Sequence, residues 1–177
     1  MVAKLKQSVS ERIEAGSITE TEAFELTREA ALSSLDRAMQ SRHTLAGRLI
    51  QRGYPAVTVE GVLDRLEAVG LVNDAEYAQS LVRARLDRGL AKRAIGVELA
   101  RKGIASDAAG QALAQIDSGQ QAEAAELVAR KVINRCQGLT REVKANRAYG
   151  AVSRRGYPAE IAAAAVTKAL GSTEDEF

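Results

Sequence analysis

The chain has 177 residues, with 25 Lys or Arg against 23 Asp or Glu, a formal charge of +2. Hydrophobic residues make up 46%, which excludes a disordered tail, and a length of this order fits one domain or a string of small ones. Six residues are aromatic and none is Trp, against folds that stack bases on aromatic platforms.

Cys136 is the one cysteine and His43 the one histidine, which removes disulfide frameworks, Cys/His zinc sites and CxxC redox chemistry. The N-terminus carries Lys4, Lys6, Glu11, Arg12 and Glu14 and no signal-peptide core. The longest apolar run, Ile161 to Val166, is far short of the ~20 residues of a membrane span. A soluble cytoplasmic protein, free of disulfides, is expected.

In chain order, a weakly patterned arm reaches about Gly16. Thr19 and Glu22 then form a capping box before a helix running through Phe24 and Leu26 to about Met39. A helix ending at Arg52-Gly53 follows. The next, from Pro55, lines Val59, Val62, Leu63, Leu66 and Val69 on one side, with Glu60, Asp64, Arg65 and Glu67 on a solvated face. Asn73 and Glu76 open a helix whose Tyr77, Ala78, Leu81, Val82 and Leu86 share a stripe. Ser106 and Thr140 precede further helices. Cys136 falls in an amphipathic segment with Val128 and Val132 and reads as a small core residue.

Three of these segments repeat a pattern: an apolar helix, a basic residue or pair, Gly, then Tyr or Ile. The marker glycines Gly53, Gly103 and Gly156 stand 50 and 53 residues apart. Gly closes a last helical turn in the left-handed conformation, and Arg or Lys beside it complements the helix dipole. That is the structural reading of Arg52, Arg101, Lys102, Arg154 and Arg155; Tyr54, Ile104 and Tyr157 are the apolar contacts that accompany such caps. A Gly103→Val substitution should therefore cost about 1 kcal/mol or more. About fifty residues hold three short helices. The fold expected is all-α, an elongated, curved array of three tandem three-helix repeats, near 17–72, 73–118 and 119–171, followed by an acidic tail at 172–177. The alanine-rich helices near Ala122 and Ile161 make the third repeat the expected weakest.

The near-zero charge hides segregation. Residues 81–103 hold seven basic side chains (Arg83, Arg85, Arg88, Lys92, Arg93, Arg101, Lys102) against Asp87 and Glu98. Residues 130–155 hold eight, Lys131, Arg135, Lys144 and Arg147 among them, against Glu142 alone. Two basic belts at matching places in successive repeats favour a phosphate backbone or an acidic protein groove. Arg83, Arg88, Lys92 and Arg93 are the strongest candidates because they stand away from caps; Arg85 falls beside the apolar stripe and fits a helix interface as well. No GxxxxGK[ST] or GxGxxG motif occurs, His43 reads as a surface or capping histidine, and no cofactor or metal site is encoded in a recognisable form. An enzyme is not expected.

The ordered set Ser41-Arg42, Leu45, Leu49, Arg52-Gly53-Tyr54, Val62-Leu63, Leu66, Gly70-Leu71-Val72-Asn73-Asp74, Tyr77-Ala78, Leu81-Val82-Arg83, Arg88-Gly89, Ile95, Glu98-Leu99 and Lys102-Gly103-Ile104 resembles the RecX regulators of the RecA recombinase. The likeness is dense from about Ser41 to Ile116 and thin over the third repeat. Departures fall at Thr44, Asn73 and Leu90-Ala91, where the family usually has Glu, Asp and Gly-Pro. The resemblance implies a cytoplasmic, monomeric, non-enzymatic protein that binds the RecA nucleoprotein filament and inhibits its ATPase, recombinase and coprotease activities. It implies a place in DNA repair, homologous recombination and the SOS response, with some affinity for single- or double-stranded DNA. The alternatives are a helix-turn-helix-like DNA-binding regulator, which sequence-specific retardation of a duplex would reveal, and a plain helical scaffold.

Overall fold

A computed structural model describes residues 7–171; the acidic tail at 172–177 lies outside the described residues. These residues form ten helices and no strand. After α1 (Val9–Glu14) they follow in groups of three. The first is α2 (Glu20–Leu35), α3 (Arg42–Gln51) and α4 (Ala56–Ala68). The second is α5 (Asp74–Leu86), α6 (Lys92–Arg101) and α7 (Ser106–Ala114), and the third α8 (Ser118–Arg135), α9 (Arg141–Ser153) and α10 (Ala159–Gly171). No helix among the described residues is long and apolar enough to cross a membrane.

Two compact units result. Of the described residues, one holds those up to Tyr77 together with Lys102–Ile104; the other holds Ala78–Arg101 and those from Ala105 onward. In the first, Leu45, Leu49, Val59, Val62, Leu63, Leu66 and Val72 pack with Ala30 and Ala31 as one buried cluster. Thr19 and Glu22 close their capping box as the spacing predicts. Val69, placed by periodicity on the buried line, is 69% exposed, because α4 ends at Ala68 and the chain turns. There Leu71 N–H donates to the Leu66 carbonyl and Gly70 N–H to that of Glu67.

Within the arm, the described residues from Ser8 to Gly16 are more ordered than their pattern suggests. Ser8 and Glu11 form a second capping box around the short α1. Ser10 N–H and Oγ–H both donate to the Gly53 carbonyl at 3.0 Å. The analogous turn at Lys102–Ile104 belongs to this unit for a similar reason: the Ser41 hydroxyl donates to the Lys102 carbonyl at 2.7 Å, and Gly103 rests on His43. All three marker glycines have positive φ, at 86°, 73° and 90° for Gly53, Gly103 and Gly156.

The carboxylates read as a solvated face of α4 are exposed there, and one cation gathers all three. Arg42, at the first turn of α3, pairs with Glu60 at 2.6 Å, Asp64 at 2.7 Å and Glu67 at 2.9 Å, and its backbone N–H donates to Asp74. One guanidinium thereby ties α3 to α4 and to the start of α5. Ser106 is also corrected: it is the first residue of α7, Ala105 stands at the N-cap, and no side chain caps the helix.

In the second unit, alanine provides eight of the fourteen residues of the buried cluster built mainly from α8, α9 and α10. Small side chains let these helices approach closely while burying little area each. Cys136 is buried as expected, but as the residue that ends α8, not within it. Glu126 on α8 is almost buried and pairs with Arg130 and with Lys168 of α10. The hydrogen bond from Lys168 holds its carboxyl below the usual carboxylate range, against the opposing effect of burial. A carboxyl depressed in the folded state contributes stability that is present above the unfolded value near 4.5 and is lost as pH falls through the folded one. Glu126→Gln should therefore destabilise the chain by about 1 kcal/mol at pH 7, with the difference from wild type shrinking on acidification below 4.5 in urea titrations.

Candidate functional site

The two basic belts meet in the second unit. α5 ends on a turn in which Gly89 N–H donates to the Leu86 carbonyl and Leu90 N–H to the Arg85 carbonyl. Gly89 has φ +74°, and a Cβ on it would stand 2.6 Å from Cγ2 of Val128. The missing side chain lets the α5–α6 turn lie directly on α8. Arg88 is thereby carried next to Lys131 and Arg135, and Arg155 joins them from the end of α9, its Cδ near Gly89.

These four cations and Asp87 border a hollow of about 270 Å³, floored by Leu86, Ala124, Leu127, Val128 and Val132. Arg88, Lys131 and Arg135 are exposed, and among the described residues none of the three makes an ion pair. Arg155 donates to the Ala151 carbonyl at 3.1 Å, so its capping role and its place at the hollow coexist. Cations without an ion-pair partner, gathered around apolar side chains, give this hollow a positive local potential.

The other predicted residues are distributed differently. Arg85 does not join the hollow: its guanidinium grips Glu98 of α6 through two bonds, of 2.6 and 2.7 Å, with side chains only 23% and 14% exposed. The pair is largely withdrawn from water and ties α5 to α6. Lys92 begins α6, with its backbone N–H on Gln121 Oε1 at 2.7 Å and its ammonium 3.3 Å from the Ile116 carbonyl. Arg83 is exposed on α5 with a long contact to Gln79. Arg93 borders a separate hollow with Val97, Ser153 and Tyr157. Lys144 and Arg147 lie on α9, Arg147 against the Cys136 sulfur at 3.8 Å.

The sequence-based candidates leave out Arg155, counted in the second belt but read chiefly as a cap, and Leu127, half exposed at the hollow. The spacing Leu127, Lys131, Arg135, each four residues apart on α8, is the signal that could have found the face. His43 is exposed and packs under Gly103; among the described residues no group of three or more His, Cys, Asp or Glu could hold a metal.

With this geometry in place, comparison with known proteins defines the class. The family model for the first three-helix domain of RecX matches residues 28–66, and that for the second matches residues 73–113. The chain is 36% identical over 161 residues to the regulatory protein RecX of Mycobacterium ulcerans, covering 90% of this chain and 93% of that one. It is 38% identical over 148 residues to that of Streptomyces lividans, covering 82% and 78%. The crystal structure of RecX from Lactobacillus salivarius superposes with a TM-score of 0.70 at 22% identity, covering 84% of this chain and 97% of that one. A tandem array of three-helix domains with this sequence similarity belongs to the RecX family of regulatory proteins.

Proposed function

We propose that this chain is a cytoplasmic, monomeric, non-enzymatic regulator that binds the RecA nucleoprotein filament and inhibits its ATPase, recombinase and coprotease activities. The observation that carries the reading is the convergence of Arg88 from one belt with Lys131, Arg135 and Arg155 from the other at a single hollow. Family membership supports the regulatory role, since relatives bear the name regulatory protein RecX. A polymer offers the same acceptor at every subunit, so several weak contacts from one chain act at high effective concentration. Arg83, Lys92, Arg93, Lys144 and Arg147 extend the same basic surface in this reading, by a salt-sensitive attraction to the filament or its DNA.

The test is single-stranded-DNA-dependent ATP hydrolysis by RecA. The triple variant Arg88→Glu, Lys131→Glu, Arg135→Glu should need at least about ten times more protein for half-inhibition, the equivalent of about 1.4 kcal/mol of binding. Wild-type chain that leaves hydrolysis untouched contradicts the function; a folded triple variant that inhibits normally contradicts the site.

A further inference from the structure

We infer that the hollow of the second unit receives an acidic peptide segment anchored by one apolar side chain, so that the partner at this site is protein and not nucleic acid. The inference rests on the filament reading above and adds the chemistry of the group recognised.

Three features decide between the two polyanions. Part of the lining is apolar: Leu86, Ala124, Leu127, Val128 and Val132 share the hollow with the cations, and Leu127 is 50% exposed. A phosphodiester track has nothing to place there, whereas an apolar side chain would remove that surface from water. The volume also matters, because about 270 Å³ lies just under the ~300 Å³ at which small-molecule sites begin. It is large enough for one anchoring side chain. The hollow also has no aromatic residue in its lining, so a splayed base would find no aromatic platform.

The charge arrangement fits the same occupant. Lys131 and Arg135 are one turn apart on α8, and Arg88 and Arg155, two residues past the ends of α5 and α9, line the same hollow. Guanidinium groups that share a hollow with apolar side chains match carboxylates flanking a buried anchor, by charge-assisted bonds that Arg forms well with planar carboxylates. Asp87 on the rim adds a repulsive element against a carboxylate placed on its side, which restricts the register of the bound segment.

The experiment places a photo-crosslinker at the floor, Leu127→p-benzoylphenylalanine, in the full chain bound to preassembled RecA filaments on single-stranded DNA. Co-sedimentation first reports binding, and loss of wild-type binding there refutes the filament reading together with this one. With binding present, irradiation should attach Leu127's replacement to a RecA peptide containing an apolar residue flanked by at least two Asp or Glu. The Arg88→Glu, Lys131→Glu, Arg135→Glu background should lower that yield at least tenfold, while the same probe at the exposed Val57 of the first unit should not give that peptide. Adducts to DNA, adducts to a RecA segment without carboxylates, or no adduct from a co-sedimenting chain each overturn the inference and leave the filament reading standing.

Discussion

Gly103→Val should cost about 3 kcal/mol of stability in urea unfolding, which sharpens the expectation of about 1 kcal/mol or more from the sequence. Two effects combine. Gly103 sits at φ +73°, where a β-branched residue is strained by about 1–2 kcal/mol. Its Cβ would also collide with Cβ and Cγ of His43, and overpacking of this kind typically adds about 1–3 kcal/mol. The effect should be felt where α3 begins, since the neighbouring Lys102 carbonyl accepts the Ser41 hydroxyl. In a His43→Gly background the cost should fall to the conformational part, about 1–2 kcal/mol. A loss below 1 kcal/mol in the wild-type background contradicts this packing.

Arg85→Met should destabilise the chain by about 2–3 kcal/mol, near the lower end for breaking a buried pair because both groups keep some access to water. Glu98, 14% exposed, would keep its charge and lose the guanidinium that holds it. The double variant Arg85→Met, Glu98→Leu should recover most of the loss, because an apolar pair removes the charge left behind. Once folded, both variants should inhibit RecA as wild type does, because Arg85 acts between α5 and α6 and not at the hollow. A stable Arg85→Met chain with weakened inhibition would return Arg85 to the binding surface.

Much of the fold was legible because its punctuation is local. Thr19 with Glu22, Asn73 with the N–H of Glu76, and Thr140 with that of Val143 each act over three residues. The spacing of Gly53, Gly103 and Gly156 exposes the repeat for the same reason: a positive-φ turn demands Gly wherever it occurs. Even α1 carried its Ser8–Glu11 capping box, passed over because six residues offer too little periodicity to notice.

What was not legible depends on chain returns. Arg42 finds Glu60, Asp64 and Glu67 from 18 to 25 residues away, so α4 alone shows only a polar face. Charge counting located both belts but could not say that Arg88 would meet Lys131, 43 positions later, while Arg85, three positions earlier, turned inward to Glu98. The three-residue step places Arg85 and Arg88 close on a helix surface, but α5 ends at Leu86 and the turn at Gly89 sends Arg88 elsewhere.

The central claim is that the basic hollow of the second unit is the face through which the chain holds a RecA filament. Pull-down on filaments assembled with and without ATP and DNA tests it most directly, with wild-type chain beside the Arg88→Glu, Lys131→Glu, Arg135→Glu variant. Wild type should be retained on the assembled filament, and retention of the folded variant should fall at least about tenfold. Equal retention of both would contradict the claim.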